Sequence, residues 1–418
     1  MDGGRVSGAT YALLGMASVA YFLFTFSWFS LAAYLVPLIE DLGLSGTEAG
    51  LVTGAVQLSY IPLALASGLA IDRLGSRRAV GAGLLVIGVS HVLRGVATGF
   101  ASVLLPTLLL GVGGTAITFG LPKLVSELFP PDRVGRPSSM YVVGSTLGSA
   151  TAFAIARPLV DPLLGGWRPF FQLTGVLVVG YAVCWFLVSR ALWGRAEQFG
   201  SADGQDFSFA SMRADLASVL THYGLLLLVV VGTMRLFVHH GLSNWLATIL
   251  ETRGMAPTLA GTVTSAFILV RILGILAIPA LSDRIGSRRW PIVACGVAGT
   301  VGMIGLMVGS STVTLGVSLV LVGAFTIGGL APLVRAIPIE MRGIGPALTA
   351  VATGLIFTVG EVGGFLGPFS IGVVYDLTDT FAPALVVLAA ACFVTAVAGY
   401  YLPETAGSAA ARTETASE

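Results

Sequence analysis

Two stretches decide the reading: Gly68-Leu69-Ala70-Ile71-Asp72-Arg73-Leu74-Gly75-Ser76-Arg77-Arg78, and Ala280-Leu281-Ser282-Asp283-Arg284-Ile285-Gly286-Ser287-Arg288-Arg289. Six of the seven residues from Asp72 to Arg78 recur 211 residues later. Thr47, Ala49 and Gly50 return at the same offset as Thr258, Ala260 and Gly261. In a chain of 418 residues that offset is half the length, which points to a duplicated unit. Each charged stretch lies between two long apolar runs, so the repeated element is a polar loop joining two apolar segments.

Composition says what those segments are. Hydrophobic residues make up 55% of the chain and charged residues 10%, with a mean hydropathy of +0.91. A soluble chain carries roughly 25% charged residues. A soluble fold of this size cannot hide so much apolar surface, so lipid must be the solvent for most of the chain. Glycine, at 55 residues, suits packed membrane helices, where small side chains let backbones approach. The net charge of +1 supplies no basic face, which excludes a nucleic-acid partner. Cys184, Cys295 and Cys392 all fall in apolar runs and read as packing residues, not disulfides or metal ligands. Residues 1–10 are short and polar, and the first apolar run is too long for a signal-peptide core, so no cleavable signal is expected.

Runs long enough to span a bilayer fall at 11–39, 47–71, 78–98, 101–128, 138–160, 168–190, 221–250, 257–281, 289–309, 312–337, 346–374 and 381–402. Backbone groups in lipid must pair internally, so these runs become helices. With both termini on one side, that side collects fifteen arginines (residues 5, 73, 77, 78, 133, 136, 190, 195, 213, 284, 288, 289, 335, 342 and 412), against Arg94, Arg157, Arg168 and Arg253 on the other. The positive-inside rule makes the arginine-rich side cytoplasmic. The expected organisation is a six-helix bundle over 1–190, a cytoplasmic linker over 191–220, a second six-helix bundle over 221–402 and a disordered tail over 403–418. Part of the linker, 207–220, is expected as an amphipathic surface helix.

The loop from Gly68 to Arg78 resembles the G-x-x-x-D-R-x-G-x-R-R signature of the major facilitator superfamily, at the position between spans two and three and again between eight and nine. The resemblance covers the whole chain in length, topology and linker position. It implies an all-α membrane protein of twelve helices in two pseudo-symmetric six-helix bundles, working by alternating access. It also implies a gating role for Asp72, Arg73, Arg77, Asp283, Arg284 and Arg288, as a latch across helix ends; plain anchoring of the topology by arginine is the other reading. The family often has an Arg near the start of span four, where this chain has Thr107. Drug/proton antiporters tend to carry G-x-x-x-G-P-x-x-G-G in span five, where Gly144-Ser-Thr-Leu-Gly148-Ser-Ala-Thr lacks the proline. Both departures weigh against efflux.

Charges inside spans are costly and therefore functional candidates. Arg271 lies twelve residues before Asp283, about 18 Å from the helix end at 1.5 Å per residue. It reads as a substrate-binding cation or as half of an interhelical ion pair. Arg235 lies at similar depth, with His239 one turn on, then His240 and Asn244. Glu361, in Gly360-Glu361-Val-Gly363-Gly364-Phe-Leu-Gly367-Pro368, is a proton carrier or a fixed counter-ion to an arginine. Lys123, the single lysine, can pair with Glu127 one turn later or face the pore. His91 and Arg94 read as structural. Positive groups outnumber negative ones, so the expected substrate is a small anion.

Resemblance narrows the anion. Nitrate/nitrite porters carry an Arg in span two and another in span eight. Arg271 matches the second position, but its repeat-mate here is Tyr60, in Tyr60-Ile61-Pro62. The glycine-rich nitrate signature is partly present, as Gly111-Val-Gly113-Gly114 and Gly328-Gly329. The cyanate and nitroimidazole group is similar in character. A pocket formed by Arg271, Arg235, Tyr60, His239, Trp28 and Trp245 is the expectation, with Glu361 and His239 as proton-coupling candidates. The expected function is secondary transport of nitrate/nitrite, cyanate or a small carboxylate across the plasma membrane by a monomer, through proton symport or anion exchange. The alternative is proton-coupled efflux of amphipathic drug-like compounds. No G-x-S-x-G, H-E-x-x-H or Walker motif is present, so neither an enzyme nor an ATP-driven pump is expected, and no cofactor.

Overall fold

The computed structural model describes residues 7–196, 199, 216–309, 311–341, 344 and 346–405, all of whose regular structure is helical. The helices are α1 (Gly8–Ala33), α2 (Leu35–Leu42), α3 (Gly46–Leu74), α4 (Ser76–Arg94), α5 (Phe100–Leu128), α6 (Gly135–Leu164), α7 (Trp167–Trp193), α8 (Tyr223–Thr252), α9 (Pro257–Ile285), α10 (Arg289–Val308), α11 (Thr312–Glu340), α12 (Pro346–Thr378) and α13 (Ala382–Tyr401). Among the described residues ten of these are long and apolar enough to cross a membrane. An eleventh, α3, qualifies as a pair bent by 72° between Leu63 and Ala66. The bend follows Pro62, whose ring blocks the helix hydrogen bond it would otherwise continue. The remaining long helix, α4, carries Arg77, Arg78, His91 and Arg94 and falls below that hydropathy.

Local chemistry sets the element ends. Ser7 caps α1 and Ser311 caps α11, each accepting a backbone N–H, while Ser45 and Glu48 close a reciprocal capping box on α3. The first span breaks at Tyr34 because Pro37 offers no N–H to Ala33. In both repeat loops the turn is made by a glycine at positive φ, Gly75 at 81° and Gly286 at 61°. A side chain there would be strained, so the repeated Gly-Ser-Arg-Arg is set by turn geometry as well as by charge.

Contacts divide the chain into two compact units. One is Met1–Gln205 with Asn244–Ala266; the other is Asp206–Ser243 with Phe267–Glu418. The boundary differs from the two-bundle division expected from the repeat. The end of α8 and the start of α9 pack with the first six spans, where Gly261 lies on the carbonyl of Phe153 and Arg157 bonds Glu251 at 2.5 and 2.6 Å. In the first unit α1 lies along α6, with Gly144 and Gly148 resting on the carbonyls of Ser18 and Phe22. Its core runs through Leu13, Phe24, Leu84, Ile117, Leu121 and Trp185. In the second unit α10 packs on α13 and α11, around Leu228, Ile292, Leu333 and Ile356. Many large apolar residues stay exposed, among them Leu105, Leu177, Leu187, Leu273, Leu276 and Val313, as a lipid solvent requires.

The expected surface helix over 207–220 lies largely outside the described residues; of it 216–220 is helical, with Val219 buried. Residues 406–418 of the expected tail also lie outside them. The three cysteines are free; Cys184 is exposed, against the packing role expected for it, and Cys295 and Cys392 are packed inside.

Candidate functional site

Glycine spacing positions the charged groups of the second unit. Gly360, Gly363 and Gly367 recur on one side of α12. A Cβ at these positions would meet Leu236, Thr233 and Phe237 of α8 respectively. The two backbones therefore approach closely, and Glu361 is carried to the stretch of α8 that holds Arg235. On α9, Arg271 is held from below: Gly328, in the π-helical segment Leu321–Gly329 of α11, rests on its backbone carbonyl. Such π segments recur at functional sites.

Arg271 donates through Nε to the carbonyl of Ile268 at 3.0 Å, and its Nη1 lies 2.9 Å from Nδ1 of His239. The His239 and His240 rings meet edge to face, 4.5 Å apart. Arg235 lies within electrostatic reach of Glu361, Arg271 and Arg335. Both Arg235 and Arg271 are buried, at 7% and 8% exposure, and among the described residues the Nε of Arg235 has no hydrogen-bond partner. Among the described residues neither arginine, nor Glu361, takes part in an ion pair within 4.0 Å. Two guanidiniums are thus withdrawn from solvent with no carboxylate within 4.0 Å among the described residues, a costly arrangement inside a span.

The sequence reading places Arg335 near the cytoplasmic end of span ten (312–337) and gives it no role beyond the arginine bias. The structure places it inside α11, exposed, with its guanidinium 5.2 Å from the Phe357 ring. The signal was its apolar setting, Leu333-Val334-Arg335-Ala336-Ile337 between Pro332 and Pro338.

In the first unit the aromatic residues of span one pack on one another and on Tyr60. Trp28 lies 5.5 Å from Phe24, 5.1 Å from Phe29 and 6.5 Å from Tyr60, and the Tyr60 hydroxyl shares a 2.8 Å hydrogen bond with Thr118. Tyr60 brings no charge to the position that mirrors Arg271. Gly111, Gly113 and Gly114 seat α5 against Ser59, Gly83 and Phe24. Trp245 groups with this unit and is 1% exposed, so it packs and presents no surface.

The helix-end charges are paired differently from the expected Lys123–Glu127 turn, which is a correction. Lys123 instead forms an ion pair with Asp72, and Ser76 donates to Glu127. Close packing of α5 on α3 and α4 brings the Asp72–Ser76 loop to the end of α5, where a neighbouring helix offers better-placed partners than its own next turn. The mirrored loop uses other partners. Arg288 bonds Glu340 at 2.6 and 2.9 Å and Asp283 at 2.6 Å, and Glu404 accepts from Ser287 and from the Arg288 N–H. The hydrogen bond that Arg288 donates to Glu340 is the main cause that raises the Arg288 pKa. Arg73 and Arg284 are exposed and form no ion pair among the described residues. His91 and Arg94 are fully buried; Arg94 bonds the Ser27 carbonyl at 2.9 Å and Thr107, the departure noted in span four, at 3.0 Å.

The family model described as Major Facilitator Superfamily matches residues 17–368 and 246–415. The chain belongs to the Major Facilitator Superfamily. It is a transporter, not an enzyme. The "Uncharacterized transporter YycB" of Bacillus subtilis is 24% identical over 86% of this chain and 85% of that protein. A "Putative tartrate transporter" of Agrobacterium vitis is 24% identical, covering 88% of this chain and 87% of its own length. A solved bacterial homolog of the human lysosomal transporter Spinster, in an inward-facing occupied conformation, superposes with a TM-score of 0.76 over 96% of this chain and 97% of that one. At 15% identity that likeness speaks for the fold alone.

Proposed function

We propose that this transporter carries a small organic anion, with a carboxylate of the substrate seated on Arg271 and Arg235 and oriented by His239. The observation that carries the reading is the pair of buried guanidiniums with no carboxylate bound to either among the described residues. A guanidinium presents a planar fork that matches a carboxylate, so the seat is selective in shape as well as charge. The same charges disfavour amphipathic cations. The nitrate and cyanate reading is the weaker one, because Tyr60 removes the second repeat-related cation. A relative whose name specifies tartrate supports the organic-anion reading.

Glu361 supplies the coupling. It lies within electrostatic reach of Arg235 without being ion-paired to it. Ionised, it competes with the substrate for that cation; protonated, it releases the cation. Anion and proton then move together as symport. The protein works as a monomer in the plasma membrane with both termini cytoplasmic, supported by the fifteen-to-four arginine bias and by a duplicated chain that carries both halves.

The test is uptake of labelled tartrate, a monocarboxylate, nitrate and cyanate into proteoliposomes, with and without an imposed proton gradient. Wild type takes up a carboxylate. Arg271→Ala loses that uptake, and Arg271→Lys is slowed at least about tenfold, the effect of some 1.4 kcal/mol. Carboxylate uptake unchanged by Arg271→Ala sinks the assignment.

A further inference from the structure

The two copies of the Gly-Ser-Arg-Arg loop are alike in sequence and differ in how their arginines are partnered. In the second copy Arg288 has carboxylate partners and Arg289 has ring contacts, its Nε lacking a hydrogen bond among the described residues. Arg288 is held by Asp283 and Glu340, and Arg289 lies 4.5 Å from the Tyr400 ring and 5.2 Å from that of Trp290. In the first copy Arg77 and Arg78 meet a third arginine, Arg190, around a cavity of about 550 Å³. The remaining lining residues are Phe186 and Leu187 of α7. Among the described residues none of Arg77, Arg78 and Arg190 forms an ion pair.

The cavity is built, not incidental. Gly81 leaves room for Phe186, whose ring would lie 2.6 Å from a Cβ there. The Trp185 indole N–H donates to the Arg77 carbonyl at 2.9 Å and fixes the start of α4 against α7. Arg77 reaches Ser189 at 3.5 Å and Trp193 at 5.9 Å, so its guanidinium is held at the cavity wall. Three like charges gathered at one place repel one another unless an anion joins them. The other wall is apolar and turned outward, with Leu187 at 68% exposure. A free inorganic anion has no use for that wall, whereas a phosphate carrying acyl chains fits both.

We propose that Arg77, Arg78 and Arg190 hold the phosphate headgroup of an anionic phospholipid, with its acyl chains along Phe186 and Leu187. The lipid supplies the counter-charge that Asp283 and Glu340 supply in the second repeat. Basic pockets at helix ends near the membrane surface recognise such headgroups.

The experiment uses the full-length protein in nanodiscs of phosphatidylcholine alone or with phosphatidylglycerol, read by thermal unfolding and by mass spectrometry of retained lipid. Phosphatidylglycerol is expected to raise the unfolding temperature and to stay bound. In Arg78→Gln/Arg190→Gln both effects are expected to fall several-fold, whereas Arg284→Gln, an exposed arginine on the other repeat, keeps them. Inorganic phosphate is added to phosphatidylcholine discs as a separate arm. An equal stabilisation by phosphate assigns the site to a soluble anion and overturns the lipid. So does phosphatidylglycerol binding that is the same in the double variant. If the double variant fails to fold, Arg78→Gln alone, at an exposed position, is compared in the same way. The readout is lipid retention, so the outcome is independent of which substrate is carried.

Discussion

At the scale of single residues, the coupling assignment turns on Glu361. Glu361→Gln keeps the shape and removes the titration, so the neutral, Arg235-releasing form becomes permanent. Proton-driven accumulation is then expected to vanish and the pH dependence of uptake to flatten, while exchange of labelled for unlabelled substrate persists. Retained accumulation at wild-type level, measured against an imposed pH gradient, removes Glu361 from the coupling step. The residues of this cluster were legible one at a time, because each charge stands out in an apolar run. Their arrangement was not: nothing in the sequence says that His239 turns to Arg271, or that Glu361 stays clear of contact. Arg335 was missed for a related reason, since its position near a helix end made topology anchoring a sufficient explanation.

At the scale of elements, close helix contact depends on the absence of side chains. A Cβ at Gly363 would sit 2.5 Å from the Thr233 carbonyl oxygen and 2.7 Å from its Cγ2. Gly363→Ala must push α12 off α8, at a cost of about 1–3 kcal/mol typical of overpacking. A lower unfolding temperature and weaker uptake follow, while Gly354→Ala, with open space around it, leaves both unchanged. The glycines were visible in the sequence as residues suited to packed helices, but which helix each one meets was not. Lys123 shows the limit of that approach: its neighbour in sequence was Glu127, yet helix packing gave it Asp72. Local pairing rules rank candidates within one helix and are silent about partners on the next.

At the scale of the molecule, the duplicated sequence does not divide into equal blocks of contacts. Within the first unit, Arg157 of α6 and Glu251 at the end of α8 are an ion pair, 15% and 10% exposed. Removing one partner of a fully buried pair strands the other at a cost of about 3–5 kcal/mol, and this part-buried pair should lose less. Glu251→Gln and Arg157→Gln are each expected to lower the unfolding temperature. The charge swap Arg157→Glu/Glu251→Arg restores part of the loss, and a swap no better than the single variants argues against direct pairing. The repeat told of twelve spans and two halves. It could not tell which segments of the second half pack with the first, because that is decided by contacts such as Gly261 on Phe153, far apart in the chain.

The bonds of Glu404 carry a practical consequence. This residue lies beyond the last helix, yet its carboxylate closes on Ser287 and on the backbone of Arg288, and Thr405 reaches Glu340. Anyone trimming the gene from its 3′ end, or fusing a reporter there, is working beside a clasp. A ladder of truncations read for expression and monodispersity should stay level until the cut passes Thr405, then drop in a single step.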